Sequence, residues 1–316
     1  MRLAVINDYQ NLAQEAADWS SLPDDVDADF FQRRFTDAEE SAALLAPYDI
    51  IVTAREETLF DSALIERLPQ LKLLVTHGER NAALDMAALA ARQITVCGTG
   101  YGFPIATVEL TWGLILGLIK HIPAEDRAIR DGKWGIDLPL GLSGRTLGVI
   151  GLGTLGGGVA GVGKAFDMDV IAWSPNLTDA RCAELGVQRV NKDELFERSD
   201  ILSVHVILGD RSRGLVGAQE LAQMKSSALL INTSRGPIVD EAAMISALET
   251  GTIAGAGLDV YDQEPLPLDH KLRNMPNTIL MPHVGGRTRE NFVARYRDSL
   301  DDVLAWIEGN PIRVLS

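Results

Sequence analysis

Cysteine is nearly absent: only Cys97 and Cys182 occur in 316 residues, far apart and outside any C-x-x-C spacing. That scarcity fits a reducing compartment and leaves no cysteine zinc site. The 5 histidines are scattered as well, so no metal is expected. Long apolar runs are also missing. The longest, Leu110 to Ile119, is about half of what spans a bilayer and reads as a buried helix. The opening run Leu3–Ile6 is ended at once by Asn7-Asp8, so it resembles a strand more than a signal peptide. Positive charge is in deficit, with 29 Lys and Arg against 44 Asp and Glu and a net charge of −15. Such a surface repels phosphate backbones and anionic lipid, and no basic run reverses it locally. Nucleic acid and membrane partners are therefore not expected, and the chain reads as cytoplasmic.

What is present is apolar content of 46% in short β-branched runs alternating with helix-like segments. This is the pattern of an α/β chain with parallel sheets covered by helices. Strand candidates Leu3–Ile6, Ile50–Val52, Leu73–Val75 and Ile94–Val96 form a first doubly wound unit, with helices near Asp61–Leu68 and Leu84–Arg92. A second series runs through Leu147–Ile150, Val170–Trp173, Ile201–Val204, Leu229–Ile231, Gly255–Val260 and Thr278–Met281. Six strands is the count of a complete dinucleotide-binding sheet. Turn-rich stretches at Cys97–Pro104 and Pro282–Arg287 mark two crossings between domains. The boundaries are drawn at 1–98 plus 287–316 for one domain and 99–286 for the other, with an amphipathic helix over Asn291–Ile307 returning to the first. No internal repeat or low-complexity segment is found.

Gly151-Leu152-Gly153-Thr154-Leu155-Gly156 follows the apolar run Leu147–Ile150 and precedes a helical stretch. In that context G-x-G-x-x-G allows a tight turn, close backbone approach and a helix N-terminus for the pyrophosphate. A glycine-rich turn that binds nothing is the plainer alternative. Gly157, Gly158, Gly161 and Gly163 are unexpected, each costing about 1 kcal/mol relative to alanine inside a helix. Either the backbone packs very close to the sheet or the first turns are loose. An acidic residue some 20 positions on normally bonds the adenosine ribose of NAD, but here the strand ends in Ser174-Pro175-Asn176. Without that carboxylate the cofactor is expected to be NAD, with NADP accepted as well; Arg181 lies a turn or two beyond.

Arg235, Glu264 and His283 each follow a strand candidate of the second series, where an open α/β sheet gathers its ligand contacts. Hydride arriving at a keto carbon builds negative charge on oxygen, so the site needs a proton donor near neutrality and a fixed cation. His283 can supply the proton, and Glu264 can hold its other ring nitrogen. Arg235 offers a planar fork for a carboxylate. Singly, each could be a turn or structural residue; their joint appearance after the glycine loop points to catalysis.

The stretches Leu147–Gly156, Leu230–Glu241, Gly255–Pro265 and Pro282–Gly286 resemble the D-isomer-specific 2-hydroxyacid dehydrogenases, among them the phosphoglycerate, hydroxypyruvate and glyoxylate reductases. The resemblance implies a Rossmann dinucleotide-binding domain inserted into a flavodoxin-like substrate domain, a homodimer, and a small 2-keto or 2-hydroxy acid substrate. It implies His283 as acid/base, Glu264 as its partner and Arg235 as the substrate-carboxylate binder. It places Gly151, Gly153, Thr154, Leu155 and Gly156 at the pyrophosphate and Ser174 near the ribose. Val206, Thr233 and Ser234 fall on the nicotinamide side and Asp259 at the carboxamide, with Gly285 a further cofactor-binding candidate. Glutamate at 264 departs from the formate dehydrogenase branch. The first domain departs from the family: Thr76-His77-Gly78-Glu79-Arg80-Asn81 stands where a glycine-rich loop usually cradles the substrate carboxylate. Gly78 and Glu79 remain the candidate substrate contacts, and Gly100-Tyr101-Gly102 replaces a Pro-Gly loop. The regulatory domain of some phosphoglycerate dehydrogenases is not expected after Ser316. A corepressor-like dimer that senses a dinucleotide without turnover is the competing function.

Overall fold

The computed structural model describes residues 1–35, 37–100 and 102–316. The chain forms two compact units, one of residues 1–103 and 288–316, the other of 104–287. The crossings thus fall later than the boundaries drawn at 98/99 and 286/287. The first shift has a local cause, because the loop beyond residue 98 is tied into the first unit. The Gly100 amide donates to Asp298 at 2.9 Å, and the Phe103 amide donates to the Asn291 side chain. Tyr101 of that loop lies outside the described residues.

The first unit holds β1 (Arg2–Val5), β2 (Asp27–Phe30), β3 (Ile50–Thr53), β4 (Leu73–Thr76) and β5 (Thr95–Gly98). All pair in parallel, in the order β2-β1-β3-β4-β5. This is the flavodoxin-like order. Side chains alternate between the two faces with the strand period of two. Leu3, Val5, Ile50, Val52, Leu73 and Val75 pack on one side with Phe292 and Tyr296 of the helix Arg289–Ile307. Ala4, Ile6, Ile51, Leu74 and Val96 pack on the other.

The second unit holds β6 (Thr146–Ile150), β7 (Asp169–Trp173), β8 (Gln188–Arg189), β9 (Ile201–Val204), β10 (Leu229–Asn232), β11 (Gly255–Leu258) and β12 (Thr278–Leu280). Their order is β12-β11-β10-β9-β6-β7-β8, again all parallel. The sheet has seven strands rather than the six expected, because a two-residue strand adds beside β7. Chain order reverses between β6 and β9, which is where open α/β sheets bind ligands at the carboxyl ends of their strands.

The helix Thr154–Ala165 begins within the glycine motif, and most of its glycines are explained by close packing. A Cβ at Gly156 would lie 1.9 Å from the Gly151 carbonyl oxygen, at Gly158 2.8 Å from Val108, and at Gly163 2.6 Å from Leu147. Gly161 alone faces open space. No single helix among the described residues is long and apolar enough to cross a membrane. The most apolar helix, Ile105–Ile119, buries Val108, Trp112, Leu114, Ile115 and Ile119 in the second unit.

Candidate active site

The loop after β6 is shaped by glycine. Gly151 has φ +91°, and a Cβ there would lie 2.8 Å from Val206 and 2.9 Å from the His205 carbonyl oxygen. Only glycine tolerates both the left-handed backbone and that approach. Gly151 N–H donates to the Trp173 carbonyl at 3.0 Å, joining the loop to the end of β7. At Gly153 a Cβ would meet nothing within 4 Å, so the turn opens onto free space at the N-terminus of a 12-residue helix. The first-turn amides at Thr154, Leu155 and Gly156 have no preceding turn to bond. This arrangement fits a pyrophosphate.

Four further strand ends carry the polar groups. After β9, the Val206 carbonyl accepts from Ser234 Oγ at 2.5 Å. Thr233 is buried with its hydroxyl 2.9 Å from that of Thr111. Arg235 follows β10, its Nη1 on the Ser234 carbonyl at 2.8 Å and its own carbonyl accepting from Asn232 Nδ2 at 3.0 Å. Gly236 decides how closely that turn approaches the next: a Cβ on it would lie 2.1 Å from the Tyr261 carbonyl carbon and oxygen. No side chain fits there.

Beyond β11, Glu264 Oε1 accepts from the Tyr261 amide at 2.9 Å, and Oε2 stands 2.6 Å from His283 Nδ1. Burial pushes the Glu264 carboxyl up, but the His283 hydrogen bond and charge, the Tyr261 amide and the Arg235 charge together hold it below its usual range. The pair is about one third exposed, and His283 Nε2 makes no hydrogen bond among the described residues. His283 itself has φ +54°, a left-handed conformation uncommon for a side chain of this size. Asp259, almost fully buried, holds that turn. Its Oδ1 accepts from Val284 N–H at 2.7 Å and its Oδ2 from Gly285 N–H at 2.8 Å. Burial raises the Asp259 carboxyl despite those two amides. The anchoring role of Asp259 and the clearance at Gly236 were not read from sequence; the Asp in Leu258-Asp259-Val260 and the Gly in Arg235-Gly236-Pro237 were the only signals.

Arg235, Glu264 and His283 therefore converge in the second unit. Gly78 and Glu79 belong to the first. Gly78 has φ +86°, and its amide donates to Thr99 Oγ1 at 2.8 Å. The Arg55 side chain packs beside it, 3.6 Å from a Cβ built there. Glu79 and Arg80 are exposed, while Asn81 ties the loop to Thr76, Glu56 and Ala83. No group of three or more His, Cys, Asp or Glu among the described residues is placed to hold a metal ion. Cys97 and Cys182 are buried and free.

Comparison with known proteins gives the same picture. Residues 112–285 match the family described as D-isomer specific 2-hydroxyacid dehydrogenase, NAD binding domain. The chain is 35% identical over 277 residues to the D-3-phosphoglycerate dehydrogenase of Archaeoglobus fulgidus, covering 87% of this chain and 52% of that protein. It thus spans about half the length of the phosphoglycerate dehydrogenases it matches. It is 35% identical over 258 residues to the glyoxylate reductase of Aeropyrum pernix, covering 79% of this chain and 77% of the relative. The crystal structure of a phosphoglycerate oxidoreductase from Vibrio cholerae superposes with a TM-score of 0.90 at 31% identity, covering 98% of this chain and 99% of that one. By fold, strand order and sequence, the chain belongs to the D-isomer specific 2-hydroxyacid dehydrogenase family.

Proposed function

We propose that the chain interconverts a small 2-keto acid and its D-2-hydroxy acid with a nicotinamide dinucleotide. The observation that carries this reading is the 2.6 Å contact between His283 Nδ1 and Glu264 Oε2, in the same unit as Arg235 and the glycine loop. With Nδ1 engaged by the carboxylate, Nε2 is the ring nitrogen left to deliver a proton. Glu264 is kept ionised for that task by its neighbours. Arg235 grips the substrate carboxylate and polarises the adjacent carbonyl. The dinucleotide, when bound, supplies or receives the hydride.

Gly151, Gly153, Thr154, Leu155 and Gly156 would hold the pyrophosphate, and Ser174 would face the ribose. Val206, Thr233, Ser234 and Gly285 would line the nicotinamide. Asp259 fixes the His283 turn and keeps further lone pairs for the carboxamide. Gly78 and Glu79 are the further substrate contacts of this reading. The missing carboxylate at the end of β7 supports NADP alongside NAD. A cytoplasmic homodimer completes the reading; the two free buried cysteines support the reducing compartment, and sedimentation would test the assembly.

The test is oxidation of NADH and NADPH, followed by absorbance, with glyoxylate, hydroxypyruvate, pyruvate and a branched 2-keto acid. Turnover of at least one acid is expected. Tight dinucleotide binding without turnover of any would overturn the enzyme reading in favour of a dinucleotide sensor. A kcat/KM preference for NADH above about a hundredfold, close to 3 kcal/mol of discrimination, would reject the use of NADP.

A further inference from the structure

We infer that Arg181 is the residue that binds the 2′-phosphate of NADP and sets the cofactor preference. The inference rests on the dinucleotide reading above. Gly151 N–H on the Trp173 carbonyl brings the glycine loop and the end of β7 side by side, so the ribose of a dinucleotide on that loop falls at Ser174-Pro175-Asn176. None of these three is charged. A cation held against the glycine loop comes from the next helix, Asp179–Leu185. Arg181 Nε donates to the Leu152 carbonyl at 3.1 Å, which pins the guanidinium to the glycine loop itself.

Gly157 makes room for it. A Cβ at that position would lie 3.3 Å from Arg181 Nη2 and 3.1 Å from Leu185 Cδ1, so a larger side chain would crowd the guanidinium off the loop. Arg181 Nη1 meets Glu184 at 2.8 Å, but Glu184 is mostly exposed, and exposed pairs of this kind are weak. A phosphate carries more charge and accepts two parallel hydrogen bonds from the guanidinium, so it displaces such a partner. The other charges around the tip nearly cancel. Arg189 pairs with Asp179 at 2.9 Å, while Lys192 stands 5.9 Å over the Trp173 ring and pairs with Glu220 at 2.6 Å. In a chain of net charge −15, this is a local relief from repulsion of an anion.

The test titrates the full chain with 2′,5′-ADP and with 5′-AMP, which differ by the 2′-phosphate, following heat or Trp173 fluorescence. Wild type is expected to bind 2′,5′-ADP at least tenfold more tightly than 5′-AMP. In R181Q that preference should fall below threefold with 5′-AMP affinity unchanged, and R181K should lie between. Equal affinities in wild type, a preference that survives R181Q, or equal weakening of both ligands would each overturn the assignment. Should R181Q fail to fold, S174D tests it independently: a carboxylate beside an intact Arg181 should abolish the preference, and a preference that persists counts against it. Failure of NADH itself to bind would instead sink the dinucleotide reading.

Discussion

Substitution of Gly236 by alanine probes the whole constellation without removing a reactive group. The added Cβ would sit 2.1 Å from the Tyr261 carbonyl carbon and oxygen and 2.6 Å from the Asp262 nitrogen, where ordinary contact begins at 3.4 Å. The two turns must part by about 1.3 Å, from 3.4 − 2.1, since both contacting groups are backbone. One turn carries Arg235 and the other leads into Glu264, so the proposed catalytic groups separate by a similar amount. Overpacking of this kind costs about 1–3 kcal/mol, seen as a fall in Tm of several degrees for a domain of this size. A displacement near 1 Å in a reacting constellation costs about a hundredfold in rate. Gly236→Ala should therefore remain folded but lose about two orders of magnitude in kcat/KM, measured by NADH oxidation with the best keto acid of the panel. Activity within threefold of wild type would refute the claim that this close approach sets the site.

Four further outcomes follow from the geometry. His283→Asn should lower kcat by about two to four orders of magnitude, the span for losing a general acid; stopped-flow turnover with a smaller loss would remove His283 from that role. Arg235→Lys should raise KM for the keto acid through loss of the bidentate fork, and unchanged kcat/KM would place Arg235 outside the site. Gly161→Ala, where nothing lies within 4 Å, should stabilise the chain by about 0.5–1 kcal/mol in urea titrations, whereas Gly163→Ala, 2.6 Å from Leu147, should not. Asp302 is fully buried, with Oδ1 on Arg313 Nε at 2.9 Å, and burial outweighs that partner to push its carboxyl up to about 7. Since an unfolded aspartate titrates near 3.9, the folded chain holds a proton between about pH 4 and 7 that the unfolded chain releases. The Asp302 contribution is thus full below that window and lost as pH rises through it, by up to about 1.4 kcal/mol per pH unit. Asp302→Asn should flatten this slope in denaturant titrations at several pH values, and parallel slopes would contradict it.

Much of the fold was legible because the signals are local. Strands such as Ile50–Thr53 and Ile201–Val204 are buried along their length, so apolar runs betray them. β2 was not foreseen: Asp27-Ala28-Asp29-Phe30 is an edge strand with no fully buried residue, and its pattern is that of a polar loop. β8, two exposed residues, exists only because β7 offers it backbone partners. At the site, Arg235, Glu264 and His283 were readable as residue types after strands, while their meeting was not.

By itself the amino-acid sequence determined the α/β class, the glycine loop, the charge that disfavours polyanions and the three side chains of the candidate chemistry. Each of these depends on residue identity and spacing over a few positions. Only the tertiary structure decided that Asp259 holds the His283 turn through two amides, that Gly236 lets two turns touch, and that Arg181 reaches back to Leu152. These contacts join residues 20 or more positions apart. Their distances follow from strand order and backbone approach, which no local pattern encodes.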